Sequence, residues 1–176
     1  VRALTIWQPW ASLILIGAKP YEFRPKPFSE YVNQPAVGER VAIHAGARPV
    51  RRTEVADLVV RLKEQDPDIH PCLVRAIALP FLERVLLGLA SSSAVQLGPR
   101  TVEPFRCPLS AVLCTVVLGR PRPGDECARD FGRGANDSDR DATFNWGWPL
   151  QDIEPVVPPV ETSGAQGFWR WQRGAS

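Results

Sequence analysis

The fold class predicted by this sequence is α+β and mainly β: a small barrel or curled sheet of five or six short strands with flanking helices. Three observations carry the prediction. Short apolar runs bounded by Gly or Pro recur from residue 2 to the C-terminal part of the chain, and residues 109–119, "LSAVLCTVVLG", are continuously apolar and rich in branched side chains. Helical spacing is confined to one run in the N-terminal block and to a stretch at about 50–98. The chain has 176 residues, the size of one domain with an embellishment, so a sizeable core can be buried without staples.

Residues 2–6 read as a first strand. Pro9 then stands at a helix start, Trp10–Ile16 forms a short apolar helix that needs tertiary support, and Gly17 is placed to end it. Glu22–Arg24 reads as an edge strand, because Pro20, Pro25 and Pro27 bar it from the centre of a sheet. "GERVAIHAG", 38–46, is a better strand, with Val41 and Ile43 inward and Arg40, Ala42 and His44 on the opposite face. Val55, Leu58, Val59 and Leu62 then recur at helical spacing, with Thr53 as a cap and Asp66-Pro67 as the stop. A second helix is expected with Pro80 near its start and Phe81, Leu82, Val85, Leu86 and Leu89 on one side, followed by a turn at Ser91–Pro99. Residues 119–142 mix Gly, Pro, Arg and Asp and read as a long exposed loop. After "TFNWGWPL" a proline-interrupted strand is expected at 154–158, then a turn at Gly164 and a terminal strand in "GFWRWQR". The whole is read as one domain, 1–176, with a helical insertion at about 50–98 and the exposed loop.

Composition excludes several classes. Cys72, Cys107, Cys114 and Cys127 form no CxxC pair and, with two histidines, lack the spacing of a zinc site, so no metal is expected. Residues 13–16 are too few to cross a bilayer. A cytoplasmic protein with reduced thiols and no membrane partner is the expectation. "GRGAND" lacks the Lys-Ser/Thr pair of a P-loop, no Rossmann fingerprint is present, and Ser12 and Ser110 lack a nucleophile-elbow context. No cofactor is expected. The formal charge of +2 does not by itself imply nucleic acid, although residues 1–50 carry six basic against three acidic side chains and would be the part to meet an anion.

Two groups of residues could carry chemistry. All six tryptophans lie at 7, 10, 146, 148, 169 and 171, near the two ends of the chain. They are either core aromatics closing the ends of a barrel or, for one or two of them, a wall on which a base stacks. Lys19, Glu22 and Arg24 are either a solvated face or a converging trio, because positions 22 and 24 of a strand share one face. In the second case the guanidinium binds a phosphate or base edge while the carboxylate accepts from an exocyclic amine. His44 is a polar lining candidate or a satisfied structural group.

"LTIWQPWASLILIGAKPYEFR", "GERVAIHA" and "FNWGWPLQDIEPVVPPVETSGAQGFWRW", in this order, resemble the three sequence blocks of the ASCH domain family of the PUA-like superfamily. The resemblance implies a PUA-like β-barrel with flanking helices, an association with RNA, and a ligand cleft beside the N-terminal block. Some bacterial members are small enzymes, one branch hydrolysing acetylated cytidine nucleosides and another degrading RNA. By this resemblance Lys19 matches the catalytic lysine of the amidohydrolase branch and Arg24 the arginine after it. Two departures matter: Glu22 stands where that branch has threonine, and Val117 where it has a glutamate in the central strand.

Two functions from different classes follow. The first is a module that binds single-stranded RNA or a modified nucleoside or nucleotide in a cleft of Trp7, Gln8, Trp10, Lys19, Glu22, Arg24, His44, Asn145, Trp146 and Gln166. The second is a small hydrolase of a modified nucleoside amide or of RNA, with Lys19 and Glu22 as the reactive pair and Arg24 or His44 stabilising developing negative charge. A protein-interaction domain with all aromatics in its core is the third, blander alternative.

Overall fold

A computed structural model describes residues 1–132 and 146–172. The chain runs β1 (Arg2–Ile6), α1 (Trp10–Leu15), β2 (Tyr21–Arg24), β3 (Arg40–Ala45), α2 (Arg52–Lys63), α3 (Arg75–Ala90), a hairpin β4 (Val95–Leu97) and β5 (Arg100–Val102), β6 (Ala111–Leu118), β7 (Arg122–Pro123), α4 (Gly124–Arg129), β8 (Trp146–Glu161) and β9 (Phe168–Arg170). The main sheet has the order β2-β8-β6-β3-β1-β9, with β7 also paired to β8, and it curls into a half-barrel. Only β1 and β3 run parallel. The mainly β, α+β expectation holds, with seven strands in the main sheet because β7 contributes a two-residue pairing.

Both faces of the sheet are covered. On one, Leu4, Val41, Ile43, Leu113, Val116, Leu118 and Trp148 pack with Ala11 and Ile14 of α1. On the other, Ala3 and Ala42 leave room for Trp171 and half-buried Trp169, which close over Val112 and Val156. A third cluster unites α2 and α3 through Val55, Leu58, Leu62, Phe81, Leu82 and Val85 and receives Leu13. The six-residue α1 is too short to be stable alone and is held between the sheet and the helical layer.

The end of α1 follows the sequence. Gly17 has φ +74°, its N–H bonds to the Ile14 carbonyl at 2.9 Å, and the Ala18 N–H bonds to the Leu13 carbonyl at 2.9 Å. That double closure is the Schellman arrangement, which needs a residue tolerant of the left-handed region.

Several elements differ from the sequence reading. Val95–Leu97, within the stretch read as a turn, pairs with Arg100–Val102, and Arg51 rather than Thr53 stands at the cap of α2. β8 is one 16-residue strand, not a short piece at 154–158. Its pairing with β6 is irregular at Val112/Cys114 and Thr115/Val117, and Pro158 and Pro159 fall in the first of these shifts, outside the regular ladder. α3 begins at Arg75, so Pro80 lies inside it rather than near its start. Of the stretch read as an exposed loop, 122–129 form β7 and α4 with Cys127 buried, while 133–142 lie outside the described residues.

Gly88 of α3 marks a close approach. A Cβ there would lie 2.3 Å from the Phe105 carbonyl oxygen, and the Phe105 N–H bonds to the Arg84 carbonyl at 3.0 Å. Gly→Ala in a helix ordinarily stabilises by roughly 0.5–1 kcal/mol. Here rigid backbone faces rigid backbone, so Gly88→Ala is expected to destabilise by about 1–3 kcal/mol. Urea denaturation checks the sign, and a stabilised variant would contradict the packing.

Candidate functional site

β2 supplies the central residues. Its antiparallel register sets Glu22 opposite Trp148 and Arg24 opposite Trp146, so all four share one face at the start of β8. Trp148 is fully buried, stacked on Phe168 at 5.7 Å and edge-on to Phe28 and Tyr31. It is core. Trp146 is half-buried and packs against that core.

Glu22 joins the charged trio. Its carboxylate lies 3.5 Å from Lys19 Nζ and 2.8 Å from Arg24 Nε. The side chains of Lys19 and Glu22 are 3% and 9% exposed, whereas that of Arg24 is 33% exposed. A solvated face is thereby excluded: two of the three are buried and only the arginine reaches water. Lys19 Nζ also lies 5.2 Å from the Trp10 ring centre and 5.5 Å from that of Phe23, which supports the ammonium by cation–π attraction.

The other face of β2 is locked to the β7–α4 unit. The Tyr21 hydroxyl donates to Asp130 Oδ2 at 2.5 Å and accepts from Arg122 Nη1 at 2.9 Å, and Arg122 pairs with Asp130 at 2.9 Å. Burial and the Asp130 carboxylate push the Tyr21 pKa up to about 12, while the Tyr21 and Arg122 hydrogen bonds lower that of Asp130. Gly147 permits this packing, since a Cβ there would sit 2.5 Å from Cys127 Sγ. The register of Glu22 and Arg24 is therefore held from behind by side chains far along the chain. Single residues in a Gly/Pro-rich stretch did not reveal this clamp.

The remaining candidates scatter. Gln8 is fully buried, its Nε2 donating to the Pro108 carbonyl at 2.8 Å and its Oε1 accepting from the Ser12 N–H at 3.0 Å, so it ties the start of α1 to the strap before β6. Trp7 is 51% exposed and carries the Arg48 guanidinium 4.0 Å from its ring centre. Of the two readings of His44, a polar lining residue or a satisfied structural group, the structure shows the second, since the residue is buried. The opposite face of β3 is itself closed by Trp169, edge-on to the imidazole at 5.5 Å. Its Nε2 bonds to the Thr162 carbonyl at 3.0 Å and its Nδ1 to Thr5 Oγ1 at 3.2 Å, and burial lowers its pKa. Gln166 is exposed in the turn before β9, and Asn145 lies outside the described residues. The structure thus gathers Trp10, Lys19, Glu22, Arg24 and Trp146, with Phe23 added, and places Gln8 and His44 in structural bonds.

Val117, where the resemblance implies a catalytic glutamate, pairs with Arg40 and Gln151 in the middle of the sheet. Among the described residues no group of three or more His, Cys, Asp or Glu is placed to hold a metal, and no helix is long and apolar enough to cross a membrane.

The chain is similar to the ASCH protein of Zymomonas mobilis. That crystal structure is 14% identical, with a TM-score of 0.47, and the match covers 98% of this chain and 87% of the other. A serine-to-alanine variant of the same protein matches at 16% identity and a TM-score of 0.47, covering 98% and 88%. A tyrosine-to-phenylalanine variant matches at 14% and 0.45, covering 98% and 90%. No protein-family model and no curated protein matches the chain. The likeness is one of overall shape, and the chemistry rests on the side chains above.

Proposed function

We propose that this chain binds single-stranded RNA or a modified nucleoside or nucleotide by taking one base against the Glu22–Arg24 edge of the half-barrel. The observation that carries the reading is a buried carboxylate held between two cations, with the partly exposed guanidinium directly across from Trp146. A guanidinium presents a planar fork of donors, the complement of the carbonyl and ring-nitrogen acceptors of a base edge, and the Glu22 carboxylate behind it fixes the fork. Trp146 and Trp10 supply half-buried aromatic surface for stacking. A net charge of +2 suits a short ligand better than a long duplex.

The hydrolase alternative has less support. Lys19 faces Glu22 and two aromatic rings. Val117 offers no carboxylate where the resemblance implies a glutamate as proton-transfer partner.

Tryptophan fluorescence titrated with nucleosides, N4-acetylcytidine and short RNAs tests the reading. Arg24→Ala is expected to weaken the best ligand by about 5- to 150-fold, the worth of a bidentate contact of roughly 1–3 kcal/mol. No ligand-dependent signal, or unchanged affinity in Arg24→Ala, would sink it. Release of acetate or cleaved RNA during the titration would replace it with the hydrolase.

A further inference from the structure

The geometry points to a second nucleic-acid contact, a stacking and phosphate platform made by Trp7, Arg48, Arg51 and Arg52, over which a single RNA strand continues from the Glu22–Arg24 site. This rests on the base-binding proposal and extends it from one base to an oligonucleotide. Trp7 is half-exposed although it adjoins the buried Ile6 and Gln8. The Arg48 guanidinium lies 4.0 Å from its ring centre and is fixed by Glu54 at 2.9 Å, while a buried Arg48 Nε has no hydrogen-bond partner. A flat cation fixed on an exposed indole is a π surface of base size.

Arg51 and Arg52 follow on the same segment, both exposed, with no ion pair among the described residues. They cap and open α2, whose N-terminal end is itself positive. Stability does not account for cations there, whereas an anion crossing this corner would. Three arginines against Glu54 also make a local excess in a chain of net charge +2.

The two sites adjoin. Trp7 and Trp10 stand at the two ends of one tight turn, closed by the Ala11 N–H on the Trp7 carbonyl at 3.2 Å, with Trp10 toward Lys19 and Trp7 toward Arg48. The charge alone would also suit an acidic peptide. The Arg48–Trp7 stack favours RNA, because a carboxylate chain has no use for an aromatic face.

Anisotropy of a fluorescein-labelled degenerate hexaribonucleotide, beside intrinsic fluorescence with AMP, CMP, GMP and UMP, tests this. Trp7→Ala is expected to weaken the hexanucleotide at least about fivefold. Arg51→Ala/Arg52→Ala, exposed enough to fold normally, is expected to lower the slope of log affinity against log salt by about 1.4 and to leave mononucleotide affinity unchanged. Wild-type hexanucleotide affinity and salt slope in both variants would overturn the platform while leaving the base site standing. Hexanucleotide binding that needs Trp7 in a chain that binds no mononucleotide would support the platform and fail the base site. Displacement of RNA by equimolar polyglutamate would overturn it in favour of an acidic polypeptide.

Discussion

Glu22→Gln is expected to lower the melting temperature by roughly 6–20 °C, the equivalent of about 3–5 kcal/mol in a chain of this length. The reason lies in the asymmetry of the trio. Lys19 is 3% exposed, and the Glu22 carboxylate lies within ion-pair distance of it, beside the Trp10 and Phe23 rings. Taking the negative charge away removes part of what offsets the lost hydration of a buried ammonium. Lys19→Met should be milder, because Glu22 keeps Arg24 at 2.8 Å and Arg24 reaches water. The double variant Lys19→Met/Glu22→Gln is expected to recover at least half of the loss, since a neutral thioether and amide ask for no counter-charge. Differential scanning calorimetry of the three variants completes the cycle. A Glu22→Gln protein melting within about 2 °C of the wild type would show that the pair is hydrated and the site open.

Acidification below pH 6.5 is expected to destabilise the wild-type chain and to do so through His44. Its imidazole is buried and neutral in form: Nε2–H donates to the Thr162 carbonyl, and Nδ1 accepts from the Thr5 hydroxyl, which in turn accepts from Trp169 Nε1 at 3.1 Å. A proton on Nδ1 would meet that hydroxyl donor head-on. Burial sets the folded pKa below the unfolded value of about 6.5, so the unfolded chain binds more protons between the two values. The stability contributed by neutral His44 is thus complete above 6.5 and is lost as pH falls from there toward the folded value. Glu39 and Asp130, whose pKa values are lowered by hydrogen bonds, lose their contributions only in the carboxylate range below that window. Urea midpoints from pH 8 to pH 5 should fall for the wild type and stay nearly level for His44→Gln. Equal slopes in the two proteins would remove His44 as the cause. Gly164 belongs to the same lock, for a Cβ there would come 2.4 Å from the His44 ring.

How much of this was legible in the sequence depends on the range of the interaction. The Pro9 to Gly17 bracket of α1, the alternation in β3 and the spacing of Val55, Leu58, Val59 and Leu62 are local signals, and each element is present, with α2 running from Arg52 to Lys63 and so inside the bounds Thr53 and Asp66-Pro67 only at its C-terminal end. The inward alternation of Glu22 and Arg24 was legible as one of two possibilities, because period two states that they share a face but not which face. Val117 was visible as a departure from a resemblance. His44 was left open between lining and structural roles because period two turned it away from Val41 and Ile43, and nothing linear showed that Trp169 and Trp171 would close the second face. Pro158 and Pro159 made the expected strand at 154–158 too short: they fall where the β6–β8 register shifts, so β8 runs on through them.

By itself the sequence determined the α+β class, the short bracketed helix, the central strand and a charged trio adjacent to tryptophans, since these depend on neighbours within a few residues. The tertiary structure alone decided that Glu22 is buried between Lys19 and Arg24, that Gln8 and His44 serve the frame, and that Trp7 faces Arg48. Those outcomes depend on desolvation and, for Gln8, His44 and Trp7, on partners far along the chain, as in the bonds of His44 to Thr5 and Thr162, 39 and 118 residues away. A pattern of spacing carries the direction of a side chain but not the dielectric it will meet.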